Sequence, residues 1–143
     1  MIAVDTNILV YSTRTDSPWY QKAQQVVARL AEAREPWAIP WPCIHEFLAV
    51  VTHPRLYKPA TPLALGLRQA EDWIESPSLV LLGEGPGYFA TFQENAARAG
   101  AVGGAIHDAR IAALCLYHGV ATLYSADRDF SRFPQLRAEN PLV

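Results

Sequence analysis

Lysine and cysteine are scarce in this 143-residue chain, and long apolar runs are absent. Its twelve basic side chains include only two lysines, Lys22 and Lys58, and its two cysteines are Cys43 and Cys115. Neither cysteine has metal-ligand spacing with a histidine, so we expect two reduced core thiols and no zinc site. No apolar stretch approaches the roughly 20 residues that span a membrane, and no signal peptide is recognisable. These absences predict a cytoplasmic protein with no membrane partner.

Several catalytic motifs are also missing. The chain has no GxSxG elbow, no GxxxxGK[ST] phosphate loop and no histidine near Ser125, so neither a covalent serine nucleophile nor a nucleotide-binding loop is indicated. No lysine follows Lys58, which counts strongly against a response-regulator receiver. The net charge of −2 argues mildly against a nucleic-acid partner, although the predominance of arginine over lysine suits phosphate contacts.

Short apolar segments alternate with helical patterns along the chain. Strands are predicted at 2–4, 37–40, 78–82 and 120–124, with a further short edge strand possible in the turn-rich tail. Helices are predicted at 8–11, 18–34, 41–51, 62–75, 87–99 and 105–118, with Thr6 or Asn7 capping the first and Gly119 closing the last. This alternation is typical of an α/β domain with a mainly parallel sheet. No linker or repeat is visible, so we expect a single domain over residues 1–143.

Acidic residues follow two of these buried strands. Asp5 comes directly after the first strand in "IAVDTN", and Asp127 and Asp129 come just beyond the fourth strand in "YSADRDF". Ligands bind at the carboxyl ends of parallel strands in such folds. If both strands belong to one parallel sheet, these three carboxylates share one rim of it.

Two further acids stand near the starts of predicted helices. Glu46 lies in "CIHEFL" and Asp108 in "AIHDARI", each as a lone acid in an otherwise apolar stretch. An acid in a first turn is often only a helix-dipole residue, and an aspartate after a strand is often only a turn former. For each acid alone the structural interpretation is at least as good as the functional one. The joint pattern, with all five at expected strand or helix ends, favours a site.

Gathering these carboxylates has an electrostatic consequence. Two like charges 4 Å apart repel by about 4 kcal/mol at an effective dielectric of 20. Either some of the acids are protonated or a cation lies among them, and Mg²⁺ or Mn²⁺ is the natural choice for oxygen ligands. With no covalent nucleophile evident, a metal-activated water is the expected nucleophile, and phosphodiester hydrolysis is the leading inference.

Four segments in order, "VDTNILVY", "HEFLAVVTHPR", "HDARIAA" and "LYSADRDFSRFP", resemble the PIN-domain family, and within it the VapC ribonuclease toxins. The resemblance spans nearly the whole chain. It implies a PIN-like three-layer α/β/α fold around the parallel sheet. It also implies a Mg²⁺-dependent endoribonuclease, the toxin of a toxin–antitoxin pair, that forms a homodimer, cleaves RNA and is covered by a cognate VapB-type antitoxin.

The resemblance also implies roles for individual residues. It assigns the catalytic acidic quartet to Asp5, Glu46, Asp108 and Asp127, with Asp5, Asp108 and Asp127 as metal ligands. Supporting positions fall on Asn7 and Ser125, which would brace the carboxylates through hydrogen bonds, and on Asp129. The segment 55–100 is less distinctive, so the choice of RNA is left open.

Other functions stay open on the residues alone. An aspartyl-phosphate phosphatase would have a second aspartate where Asn7 stands, and a binding module would hold a structural ion with the same acids. Tryptophans would be candidates for stacking on bases, but in a small domain they more often lie in the core or an interface. The four tryptophans of the chain are Trp19, Trp37, Trp41 and Trp73.

Overall fold

A five-stranded parallel sheet forms the centre of the molecule. The computed structural model describes all residues, 1–143. The strands are β1 Ile2–Val4, β2 Trp37–Pro40, β3 Leu79–Leu82, β4 Thr122–Tyr124 and β5 Arg137–Glu139. Their order in the sheet is β3-β2-β1-β4-β5, and every neighbouring pair is parallel. The sheet is therefore entirely rather than mainly parallel, and the tail supplies the fifth strand at its edge.

Six α-helices flank the sheet. They are α1 Thr6–Thr13, α2 Tyr20–Glu32, α3 Trp41–Val51, α4 Leu63–Ile74, α5 Tyr88–Ala99 and α6 Ala105–Tyr117, with a short 3-10 helix at Arg128–Arg132. Helix α1 packs against α2 and α3, α3 against α4, and α5 against α6. The expected α/β architecture is confirmed. No helix is both long enough and apolar enough to cross a membrane.

The apolar core explains why the central strands are so apolar. Ala3, Val4, Ile39 and Leu123 are completely buried, as parallel strands covered by helices on both faces must be. Both cysteines are free and buried, Cys43 in α3 and Cys115 in α6, as the sequence predicted.

The end of α6 follows the predicted glycine signal. Gly119 has a φ of +73°, and the Val120 amide donates to the Cys115 carbonyl at 2.8 Å. This contact is the six-to-one hydrogen bond of a Schellman ending, which needs a residue in the left-handed region. The ending carries the chain to Thr122 before β4 begins, so the strand is shorter than the predicted 120–124.

The start of α1 corrects one prediction. The cap is Asp5 rather than Thr6 or Asn7: it keeps an extended backbone, and its Oδ1 accepts a hydrogen bond from the Thr6 amide at 2.8 Å. Thr6 is already helical, so the chain passes from β1 into α1 within one residue. This abrupt transition holds the Asp5 carboxylate at the carboxyl end of the central strand.

Candidate active site

The carboxyl ends of β1 and β4 are joined directly beside Asp5. The Asp5 amide donates to the Tyr124 carbonyl at 2.9 Å, and the Ser125 amide donates to the Glu139 carbonyl on β5 at 2.9 Å. These bonds extend the pairing of β4 with β1 on one side, and with β5 on the other, by one residue beyond the strand ends. They bring Asp5 and Ser125 together although 120 residues separate them.

Ser125 is the centre of a buried hydrogen-bond network. Its Oγ donates to Asp5 Oδ2 at 2.7 Å and accepts from the Asp127 amide at 3.0 Å. Asn7 Nδ2 lies 3.3 Å from both Asp5 Oδ2 and Ser125 Oγ, and Asn7 Oδ1 accepts from the Ala126 amide at 3.1 Å. The two side chains therefore fasten the segment after β4 to the start of α1, and they fix the orientation of the Asp5 carboxylate.

Four of the predicted acids line one cavity of about 220 Å³, together with Thr6 and Asn7; they are Asp5, Glu46, Asp108 and Asp127. Asp129 does not line this cavity, but it lies close to two of the acids. One carboxylate oxygen from each of Asp108, Asp127 and Asp129 lies within 4.8 Å of the others. Asp127 Oδ1 also accepts from the Asp129 amide at 2.8 Å, which fixes the turn into the 3-10 helix.

This grouping differs from the expected metal ligands in one member. The compact trio contains Asp108 and Asp127 as expected, but its third member is Asp129, where Asp5 was expected. Asp5 is the most buried acid of the site, 5 % exposed, and its oxygens are occupied by the Ser125, Asn7 and Thr6 donors. Asp129 is exposed and more accessible.

The acids lie in an environment that disfavours their charge. Burial raises the pKa of Asp5 to about 6, although the Ser125 and Thr6 hydrogen bonds oppose the shift. Burial, and then the charges of Asp127, Asp5 and Asp129, raise the pKa of Asp108. Burial and the charge of Asp108 raise the pKa of Glu46. All three pKa values are raised for the same two reasons: each carboxylate is partly removed from water, and each lies close to other negative charges.

No ion pair neutralises this crowding, although the charges of Arg132 near Asp108 and of His107 near Glu46 oppose the rise in those two pKa values. The ion pairs of the protein are Arg14–Asp16, Arg98–Glu94, Arg110–Glu84 and Arg137–Glu139, and none includes an acid of the site. Thr6 also lines the cavity, and its Oγ1 is buried. Carboxylate oxygens without an ion-pair partner are the donor set that suits a hard divalent cation. The residues present therefore fit Mg²⁺ or Mn²⁺.

The sequence-based prediction did not identify some residues around the site. Cys43 Sγ lies 3.6 Å from Asp5 Oδ1, and Cys43 precedes Glu46 by three residues on the same helix, so the helical spacing was an available signal. Tyr11 and Tyr57 line the cavity with the acids, whereas no tryptophan does. Trp37 and Trp73 are core residues, and Trp19 and Trp41 are each 38 % exposed elsewhere.

Comparison with known proteins places the chain in a class. The PIN-domain family model matches residues 2–136, so the chain belongs to the PIN-domain family. Ribonuclease VapC48 of Mycobacterium tuberculosis is 32 % identical over 96 % of this chain and 94 % of its own length. Within the PIN-domain family, the chain is therefore a member of the VapC ribonuclease toxins.

Solved structures share the fold. The crystal structure of M. tuberculosis VapC20, described as a sarcin-ricin loop cleaving toxin, has a TM-score of 0.69 at 16 % identity, covering 96 % of this chain and 99 % of that one. VapBC2 from Rickettsia felis, crystallised with a DNA fragment from its promoter, has a TM-score of 0.67 at 19 % identity. That match covers 97 % of this chain and 98 % of the other. At these identities the likeness shows the fold alone.

The raised pKa of Asp5 predicts how metal-free stability depends on pH. The folded-state pKa of about 6 exceeds the ordinary 3.8, so between these values the folded protein binds more protons than the unfolded chain. Stability therefore rises as pH falls through this window. The free energy of unfolding in EDTA is expected to be about 1 kcal/mol higher at pH 5 than at pH 7 on account of Asp5.

Urea unfolding at the two pH values measures this difference. The matched control is Asp5→Asn, in which histidines and surface acids still titrate but the buried carboxyl is gone. The wild type should gain more stability on acidification than this variant does. Equal pH dependence in the two proteins would mean that Asp5 carries no raised pKa.

Proposed function

We propose that this ribonuclease toxin is an endoribonuclease that hydrolyses RNA phosphodiester bonds at the acidic cavity with a bound divalent ion, Mg²⁺ or Mn²⁺. The observation that carries the proposal is the convergence of Asp5, Glu46, Asp108, Asp127 and Asp129, none of which forms an ion pair with a basic side chain. Phosphodiester hydrolysis needs positive charge beside the phosphate, and this site is built to acquire it from an ion.

In this proposal some of the acids hold the ion, and Glu46 transfers a proton. Asp108 and Asp127, with Asp129 or Asp5, would hold the ion; when bound, it would lower the pKa of a water and stabilise charge on the leaving oxygen. Ser125 and Asn7 orient Asp5 and the segment carrying Asp127. Glu46 faces the cavity from α3, where its raised pKa suits proton transfer to or from a water.

The partners follow from the relatives. VapBC2 was crystallised as a complex with promoter DNA, and VapC20 is a toxin that cleaves the sarcin-ricin loop. By analogy, we propose that a VapB-type antitoxin covers the acidic cavity and that the substrate is a cellular RNA in the cytoplasm. The homodimer that the family resemblance implies is also proposed.

Cleavage assays with the purified protein test the proposal. Labelled RNA should be cut in the presence of Mg²⁺, and excess EDTA should reduce the rate to background, with recovery when Mg²⁺ or Mn²⁺ is restored. Asp5→Ala should show no cleavage above background under the same conditions. An Asp5→Ala protein as active as the wild type would mean that the cleavage does not arise at the acidic cavity, which would then bind an ion without catalysis.

A further inference from the structure

The acidic cavity has an apolar half that the acids do not account for. Each helix around it contributes a polar residue and, about one turn further on, an apolar one. The polar residues are Asn7 on α1, Glu46 on α3 and Asp108 on α6. The apolar residues that follow are Val10 and Tyr11 on α1, Val50 on α3 and Ile111 on α6.

Tyr57 adds an aromatic wall from the loop between α3 and α4. Its half-buried side chain lines the cavity. The Arg14 guanidinium lies 4.3 Å from the centre of the Tyr57 ring, a cation–π contact. One face of the ring is therefore covered by a charged group.

Arg14 also fixes the loop that carries Tyr57. Its guanidinium donates to the Pro59 carbonyl at 3.0 Å and to Thr61 Oγ1 at 3.2 Å. Asp16 orients the same guanidinium through hydrogen bonds of 2.6 and 3.0 Å. The loop is thereby tied to the end of α1, and the position of Tyr57 beside the cavity is set before any ligand arrives.

We infer that this apolar half of the cavity binds one nucleobase of the RNA next to the phosphodiester that is cut, with Tyr57 as its stacking surface. The inference rests on the proposed function and deepens it. A ligand with a flat apolar ring at one end and an anionic group at the other matches a cavity with aromatic walls and an ion-binding set of acids. At about 220 Å³ the cavity is smaller than pockets for drug-sized ligands, which suits one base.

Steady-state kinetics on a short RNA test the inference. Tyr57→Ala and Tyr57→Leu should raise KM about 10- to 100-fold, the range expected for the loss of one base–aromatic stack, and change kcat less than threefold. Tyr57→Phe keeps the ring and should stay within about twofold of the wild type. Tyr20→Ala, which removes a tyrosine outside the cavity, is the matched control.

Abasic substrates test the contact without relying on how well a variant folds. Removing the base on one side of the cut should raise the wild-type KM, and Tyr57→Leu should add little further loss on that substrate. If abasic substitution on either side has no effect while intact RNA is cleaved, the inference is wrong and the proposed function stands. If wild-type protein cleaves no RNA, the proposed function itself fails. An unchanged KM in Tyr57→Leu with weakened antitoxin binding would assign the cavity to the protein partner and overturn the inference.

Discussion

Replacing Asp108 with asparagine is expected to lower RNA cleavage more than about a hundredfold while leaving the metal-free protein as stable as the wild type or more so. The change keeps the size of the side chain and removes one charge from a site where Asp127, Asp5 and Asp129 repel it. Partners that only orient metal ligands cost roughly 10–100-fold when removed, so losing a ligand should cost more. Cleavage rates and the melting temperature in EDTA measure the two effects.

A matched variant distinguishes the effect of removing a charge at the site from the effect of removing a charge elsewhere on the protein. Asp72→Asn makes the same chemical change on an exposed face of α4, away from the acidic cavity, and should leave cleavage unchanged. Mg²⁺ should raise the melting temperature of the wild type and of Asp72→Asn but much less that of Asp108→Asn. A large fall in the metal-free melting temperature of Asp108→Asn would show that this acid has a structural role instead.

The sequence could predict the convergence of the acids because it follows from a rule about sheets. Parallel strands place their carboxyl ends on one edge, so an acid after β1 and acids after β4 had to approach each other once the alternating pattern was recognised. Glu46 and Asp108 could be added because each is a lone acid near the start of an apolar helix. The family resemblance then named Asn7 and Ser125.

The details that the sequence could not predict depend on distances between side chains. Nothing in the pattern distinguishes Asp129 from Asp5 as the third member of the close trio, because that depends on the 3-10 turn after Asp127. The capping role of Asp5 was missed because Thr6 and Asn7 are also good capping residues. Tyr57 was missed because the contact that places it, with Arg14, joins a helix end to a loop 43 residues away.

Ser125→Ala should have the second large effect, because it should lower both the free energy of unfolding and the rate of RNA cleavage. The variant removes the donor to Asp5 Oδ2 and the acceptor for the Asp127 amide in a site where Ser125 is 3 % exposed. Buried groups left without partners cost about 1–3 kcal/mol, so the free energy of unfolding should fall by that amount. Cleavage should fall about 10- to 100-fold because two acids lose their common support.

The kinetic signature distinguishes this support from simple destabilisation. At a temperature where the variant is fully folded, kcat should fall and the Mg²⁺ concentration for half-maximal activity should rise, since the oxygens of Asp5 and Asp127 are no longer held in register. Ser131→Ala, an exposed serine six residues further along, is the control and should change neither quantity. A Ser125→Ala protein with reduced stability but wild-type kcat and metal dependence would reduce Ser125 to a packing role, and the acids would then be held in place by Asn7 and the backbone alone.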